Sequence, residues 1–163
     1  GSYGGYATAW GSTALTEHFA AGVMAVGISD LISKFGTTDI PQEMFLVHAR
    51  TWPWDKWQWY LERSPIFHAQ KARTPLLILH GEDDTRVHPS QSMELYRYLK
   101  TVGQAPVRLV FYKDEGHGNK KAAARYDFSL RQMRWMEHYL KGGGGDPPPY
   151  EIDYDALKSA VEQ

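Results

Sequence analysis

Three short apolar runs divide the chain, and longer segments of mixed polarity separate them. The runs are AAGVMAVGI at residues 20–28, LLILH at residues 76–80 and VRLVFY at residues 107–112. The first run is short and has no polar alternation, which is typical of a buried strand in a parallel sheet. We interpret the second run in the same way, and the third as a further strand.

The segments around these runs carry helical patterns. We predict helices over residues 4–16, from His88-Pro89 to about residue 102 and from about residue 121 to residue 141, with a shorter helix that begins at Pro41 and helical turns within residues 30–35 and 52–64. Helices that alternate with strands indicate parallel strands joined by right-handed crossovers. The predicted fold class is therefore α/β, with three parallel strands and flanking helices.

Residue spacing predicts which helix faces are buried. In the helix after His88-Pro89, one face repeats every three residues, and Gly103 is a suitable terminator. That face consists of Met93, Tyr96, Leu99 and Val102. For the last helix, we predict a buried face of Tyr126, Leu130, Met133 and Leu140.

The chain changes character after residue 141. Residues 1–141 form the α/β unit, whereas residues 142–163 begin with the glycine- and proline-rich stretch GGGGDPPP. No strand leads into these glycines, so the stretch is a linker and not a phosphate-binding loop. We expect residues 150–163 to pack back on the same domain as a loop and a last helical turn.

Composition excludes several classes of protein. The 163 residues are 42% hydrophobic and carry a formal net charge of −1, which gives no bulk attraction to nucleic acid or to an anionic membrane. No apolar run approaches the roughly 18 residues of a membrane span. Cysteine is absent. This excludes a disulfide framework and a thiol nucleophile but leaves the compartment open.

Tryptophan is concentrated in one place. The chain has 6 Trp residues, and those at positions 52, 54, 57 and 59 lie in a single segment. Such a cluster either packs in the core or covers a neighbouring domain. The sequence leaves both explanations open.

The chain begins with a candidate nucleophile. Ser2-Tyr3-Gly4-Gly5-Tyr6 matches the end of a G-x-S-x-G elbow, in which a strand turns sharply into a helix and exposes the serine hydroxyl. We expect a Cβ at the motif's glycine positions, Gly4 among them, to collide with neighbouring backbone. A serine left by cloning would look the same, so the motif needs partners elsewhere in the chain.

Two such partners follow the second and third predicted strands. A serine hydroxyl needs a base, and the base needs an acid that fixes its tautomer. Asp84 follows the second strand and His117 follows the third, in the order Ser, acid, His. Glu82 and Asp83 are interpreted as solvated. The acidic cluster lacks the spacing of a calcium loop, which argues against a metal site.

These motifs together resemble the prolyl oligopeptidase family of serine peptidases, which includes dipeptidyl and acylaminoacyl peptidases. The matching segments are S-Y-G-G-Y from Ser2, H-G-x-x-D-x-R-V from His80 and G-H-G around His117. The resemblance implies the C-terminal part of an α/β-hydrolase fold, with Ser2 as nucleophile, Asp84 as acid and His117 as base. It implies peptide substrates and no cofactor.

The resemblance also implies binding roles. The backbone N–H of Tyr3 would donate to the oxyanion, together with a Tyr hydroxyl from an upstream loop. Arg86 would bind a substrate carbonyl one residue upstream of the cleaved residue. Val87 and the Tyr3 side chain would line the pocket for the cleaved residue, and looser candidates for its wall are Ile28, Leu31 and Phe35.

Because the chain begins inside a motif, we expect it to belong to a longer protein whose upstream hydrolase strands, and a β-propeller, are its partners. Two alternatives stay open. One is a carboxylesterase on the same fold. The other is a non-catalytic fragment whose exposed sheet edge pairs with a second copy to form a homo-oligomer. We expect the 163 residues alone to be inactive.

Overall fold

The computed structural model describes residues 1–155. Its centre is a parallel sheet in the order β1 (Gly22–Ala25), β2 (Leu76–Gly81) and β3 (Val107–Tyr112). The sheet confirms the predicted three parallel strands, and β3 has the predicted bounds. β1 is shorter than the apolar run that predicted it, because Val26 turns into a left-handed conformation with φ 42°.

In residues 1–155, five α-helices flank the sheet. They are α1 (Tyr3–Thr13), α2 (Leu31–Thr37), α3 (Trp57–Glu62), α4 (Ser90–Val102) and α5 (Ala122–Leu140). Three 3₁₀ turns lie at Thr16–His18, Pro53–Asp55 and Pro65–Lys71. The helix predicted from Pro41 has a π-helical turn at Met44–Ala49.

The central strand β2 separates two cores. Leu76 and Ile78 contact one cluster, which includes residues of α1 and α4. Leu77 and Leu79 contact the other, which includes Trp135 of α5. Successive side chains of a strand point to opposite faces, so this apolar run supplies both layers. Asp84, which follows β2, therefore lies at the end of a strand that is buried on both sides.

The structure corrects the predicted face of α4. Gly103 ends the helix with φ 72°, as predicted. Leu95 and Leu99 are buried, but Met93 is about half exposed. Of the predicted face, Leu99 is in the core and Tyr96 packs against it. The error is Met93, in place of which Leu95 is buried.

The predicted face of α5 is wrong. Tyr126, Met133 and Leu140 are all more than half exposed. The helix packs on the sheet through another set of residues, namely Ala124, Phe128, Trp135 and Tyr139. Both sets have helical spacing, so periodicity alone could not choose between them.

The segment after α5 runs back over α5 and β3. Arg108 of β3 donates to the carbonyl of Pro149, and Arg131 of α5 donates to the carbonyl of Tyr150. Ile152 is buried. The predicted last helical turn lies largely beyond residue 155, outside the described residues.

The tryptophan side chains of residues 52–59 differ in burial. Trp59 packs against the core cluster around Tyr60, which is fully buried. Trp54 and Trp57 are more than half exposed. That these two side chains cover a neighbouring domain stays a prediction. Within residues 1–155, no helix combines the length and the apolar character that crossing a membrane requires.

Candidate active site

Ser2 lies at the sharp turn that begins α1. Its backbone has φ 53° and ψ −121°, a strained region for a residue with a side chain. Two backbone hydrogen bonds hold this turn. Ser2 N donates to Ala25 O (3.0 Å), and Tyr6 N donates to Ser2 O (2.9 Å). The first bond fixes the serine at the carboxyl end of β1.

A glycine is required at this turn, but at a different position from the one predicted. A Cβ on Gly5 would lie 2.6 Å from the Gly27 Cα and 2.7 Å from the Ala25 carbonyl oxygen. A Cβ on Gly4 would meet nothing within 4 Å. Gly5 faces the sheet from the first turn of α1, so it, and not Gly4, allows the helix to approach β1.

The structure brings Ser2, His117 and Asp84 into one chain of hydrogen bonds. Ser2 Oγ is 2.9 Å from His117 Nε2, and His117 Nδ1 is 2.8 Å from Asp84 Oδ2. An ionised carboxylate only accepts, so Nδ1 carries the proton and Nε2 accepts from the serine hydroxyl. This tautomer allows His117 to remove the proton of Ser2.

The Asp84 carboxylate is completely buried and held by its own loop. Oδ1 accepts from Arg86 N (2.9 Å) and Val87 N (3.0 Å). Burial would raise the pKa of Asp84. Hydrogen bonds from His80, Val87 N and His117 outweigh this effect, so its pKa lies below the ordinary value. The acid therefore stays ionised.

His80 supports the acid. Its Nε2 is 2.8 Å from the Val87 carbonyl oxygen and 3.3 Å from Asp84 Oδ2, while Nδ1 is 2.6 Å from Ser92 Oγ. Both neighbours of Nε2 are acceptors, so Nε2 carries the proton and Nδ1 accepts from Ser92. The side chain thus ties the end of β2 to α4.

The loop that carries His117 packs directly on the end of β2. A Cβ on Gly81 would lie 2.3 Å from the carbonyl oxygens of Glu115 and Gly116. The buried Glu115 carboxylate accepts from Lys120 N and Lys121 N, and these bonds, led by that of Lys120, hold its pKa below the ordinary value. Sequence reasoning missed this role of Glu115, although the residue lies two positions before the base.

A pocket of about 70 Å³ opens beside Ser2. Of the predicted wall residues, Tyr3, Ile28 and Val87 line it. Leu31 and Phe35 do not. Leu31 is buried in a hydrophobic cluster with Met44 and Tyr60, and Phe35 packs against that cluster.

The sequence missed the polar part of this pocket, which consists of Lys34, Glu43 and His48. The Tyr3 ring stacks on His48, with ring centres 4.6 Å apart and planes at 4°. The backbone N–H of Tyr3 belongs to the first residue of α1, where N–H groups have no partner within the helix. It is therefore available as an oxyanion donor beside Ser2.

Arg86 lies at the rim of the pocket and is held by a residue that the sequence did not suggest. Its Nε donates to Asp39 Oδ1 (2.7 Å), and Thr85 Oγ1 donates to Asp39 Oδ2 (3.1 Å). The hydrogen bond from Arg86 is the main cause that holds the pKa of Asp39 below its ordinary value. Asp39 belongs to no local motif. It is distant from Arg86 in the sequence, and only the fold brings the two side chains into contact.

A model of the prolyl oligopeptidase family matches residues 1–143. The acylamino-acid-releasing enzyme of Sus scrofa is 30% identical over 146 residues, which cover 86% of this chain and 20% of the relative. The dipeptidyl aminopeptidase BIII of Pseudoxanthomonas mexicana is 36% identical over 152 residues, which cover 90% of this chain and 22% of the relative. The chain thus spans about a fifth of the length of these relatives.

Solved structures of similar proteins share the fold. The acylaminoacyl peptidase of Pyrococcus horikoshii matches with a TM-score of 0.80 and 30% identity over 96% of this chain and 25% of its own. An acylaminoacyl peptidase in complex with Z-Gly-Gly-Phe-chloromethyl ketone gives 0.79 and 30% over 96% of this chain and 24% of its own. These neighbours have the α/β-hydrolase fold, which confirms the predicted fold class.

Proposed function

The chain belongs to the prolyl oligopeptidase family, and we propose that it carries the Ser2–His117–Asp84 triad of a serine peptidase that hydrolyses peptide bonds in short peptides. The observation that carries this proposal is the unbroken series of hydrogen bonds from Ser2 Oγ through the imidazole to a buried carboxylate. The peptide inhibitor bound to a structural neighbour supports the substrate class.

In the first half of the reaction, Ser2 Oγ attacks the carbonyl carbon of the cleaved bond while His117 Nε2 takes its proton. Asp84 stabilises the resulting imidazolium through Nδ1. The Tyr3 N–H donates to the oxyanion. His117 then gives its proton to the leaving amine as the C–N bond breaks, which leaves an acyl group on Ser2.

In the second half, water replaces the amine. His117 takes a proton from the water as its oxygen attacks the acyl carbon, and returns that proton to Ser2 Oγ as the ester bond breaks. The products are a carboxylic acid and the free serine. No cofactor takes part in either half.

Arg86 anchors the substrate in this proposal. Its guanidinium is about half exposed and paired with Asp39, so it is held in place while its remaining N–H groups are available to a peptide carbonyl. Asp39 acts through Arg86 and is a positioning residue.

The test uses the full-length protein. Ser2→Ala should lower kcat by about 10⁴–10⁶-fold and abolish labelling by a fluorophosphonate probe. Ser129→Ala, which changes an exposed serine on α5, is the matched control and should keep both. Labelling that persists in Ser2→Ala would refute the assignment. Turnover of p-nitrophenyl esters with only marginal turnover of peptide amides would favour a carboxylesterase instead.

The 163 residues alone should be inactive. In the part of the chain that the structure describes, the only strand that pairs with β1 is β2. Apart from the Ala25 carbonyl, which accepts from Ser2 N, the other edge of β1 can still pair with another strand. We expect the isolated piece to be poorly soluble or to form oligomers with further copies. An active, monodisperse monomer by light scattering and peptidase assay would contradict this.

A further inference from the structure

The pocket beside Ser2 has a charged pair at its wall. The Lys34 side chain is 1% exposed, and its Nζ lies 2.9 Å from Glu43 Oε2. His48 Nε2 lies 3.4 Å from the same oxygen. A buried lysine is rare unless it is paired, so Glu43 keeps its charge to balance Lys34.

The two members of this pair differ in what they offer to a ligand. Lys34 is almost fully buried, whereas the Glu43 side chain is 33% exposed. Both contacts use Oε2 of Glu43, and among residues 1–155 Oε1 has no hydrogen-bond partner. On this side of the pocket, Glu43 therefore offers a ligand an acceptor at Oε1.

The charges around the pocket already cancel. Lys34 is paired with Glu43, and Arg86 is paired with Asp39. A carboxylate entering the pocket would face the Glu43 carboxylate, and an ammonium at Oε1 would add a second cation beside the buried Lys34. An aliphatic side chain would cover Oε1 without donating to it, which leaves a buried acceptor unsatisfied. A carboxamide avoids all three costs, because its NH₂ can donate to Oε1 without adding charge.

Resting on the proposed function, we propose that the side chain of the cleaved residue is an uncharged hydrogen-bond donor, glutamine or asparagine above all, and that Glu43 selects it. Lys34 holds the carboxylate of Glu43 in place and is a positioning residue. Tyr3 and His48 form the stacked wall beside it.

The experiment compares matched substrates on the full-length protein. Fluorogenic peptidyl amides that differ only at the cleaved residue would carry Gln, Glu, Met or Lys, which are similar in length. We expect kcat/KM for Gln to exceed that for each of the others by about tenfold or more. Equal values, or a preference for Met, Glu or Lys, would overturn the inference.

A double variant tests the role of the pair. Lys34→Met with Glu43→Leu replaces two paired charges by apolar side chains, a change that cores often tolerate. It should reverse the order so that Met exceeds Gln. Glu62→Gln, an exposed change on α3, is the control and should keep the original order. An unchanged preference for Gln in the double variant would overturn the role of Glu43.

Labelling of Ser2 separates this inference from the proposed function. If the fluorophosphonate probe labels Ser2 and peptides are cleaved in another order, only the substrate preference is wrong. If Ser2 is not labelled and none of the four amides is cleaved, both proposals fail.

Discussion

Asp84 and Glu43 are two carboxylates of the same site, and they are held in opposite ways. Asp84 is fully buried, and besides His80 and His117 it accepts from two backbone N–H groups of its own loop. Glu43 is one-third exposed, and its carboxylate contacts the side chains of Lys34 and His48. Backbone donors keep their place whatever the side chains are, whereas side-chain partners can be exchanged. The loop that carries Asp84 therefore has a fixed geometry. The side chains of the pocket wall, in contrast, can be exchanged to suit a different substrate.

The largest effect on activity is expected from a substitution of Asp84. Asp84→Asn removes the charge that stabilises the imidazolium and favours the other tautomer of His117. We expect kcat of the full-length protein to fall by about 10⁴-fold with little change in KM. Steady-state kinetics on one peptide amide would measure this. A loss below tenfold would show that Asp84 is not the acid.

The next effect concerns the backbone of the elbow. Gly5→Ala places a Cβ 2.6 Å from the Gly27 Cα, whereas Gly4→Ala meets open space. We expect Gly5→Ala to cost at least about 1–3 kcal/mol of the free energy of unfolding and to slow fluorophosphonate labelling of Ser2. Gly4→Ala is the matched control. Denaturant unfolding of both variants decides, and equal stabilities would contradict the packing described here.

The contrast between the two carboxylates explains how much the sequence could predict. Ser2, Asp84 and His117 lie beside strand ends in short motifs, and parallel strands bring their carboxyl ends to one edge. Local sequence therefore placed them. Lys34 and Asp39 have no such motif. Their contacts with Glu43 and Arg86 depend on how α2 packs in the fold. A local sequence pattern does not encode that packing.

The same limit applies to helix faces. In α5, residues 126, 133 and 140 and residues 124, 128, 135 and 139 both have helical spacing. Only the position of the sheet shows that Trp135 is inside and Met133 outside. The bounds of β2 were easier to predict, because its run is buried on both faces and ends at Gly81.

A smaller effect is expected at the rim of the pocket. Asp39→Asn removes the charge beside Arg86 but leaves the guanidinium itself, so substrate anchoring weakens while the triad is untouched. We expect KM to rise by roughly three- to tenfold with kcat nearly unchanged. The ion pair is exposed, so high salt should reduce the difference between variant and parent. A fall in kcat of comparable size would place Asp39 closer to the chemistry than proposed here.

The smallest effect is a pH dependence of stability that differs between the two carboxylates. Both pKa values are lowered, against ordinary values of 3.8 for Asp84 and 4.5 for Glu43, although burial alone would raise each. A lowered pKa means that folding favours the ionised form. The stabilisation is therefore complete above the ordinary value and is lost as the pH falls below it and through the folded-state value.

Thermal unfolding of the full-length protein between pH 3 and pH 6 would measure this, with Asp84→Asn and Glu43→Gln compared with the parent. Each variant lacks one titrating carboxylate, so its unfolding temperature should fall less steeply with acid. The difference from the parent should appear at lower pH for Asp84→Asn than for Glu43→Gln, because an aspartate titrates below a glutamate in the unfolded chain. Variants whose profiles run parallel to that of the parent would show that neither carboxylate gains from the contacts described.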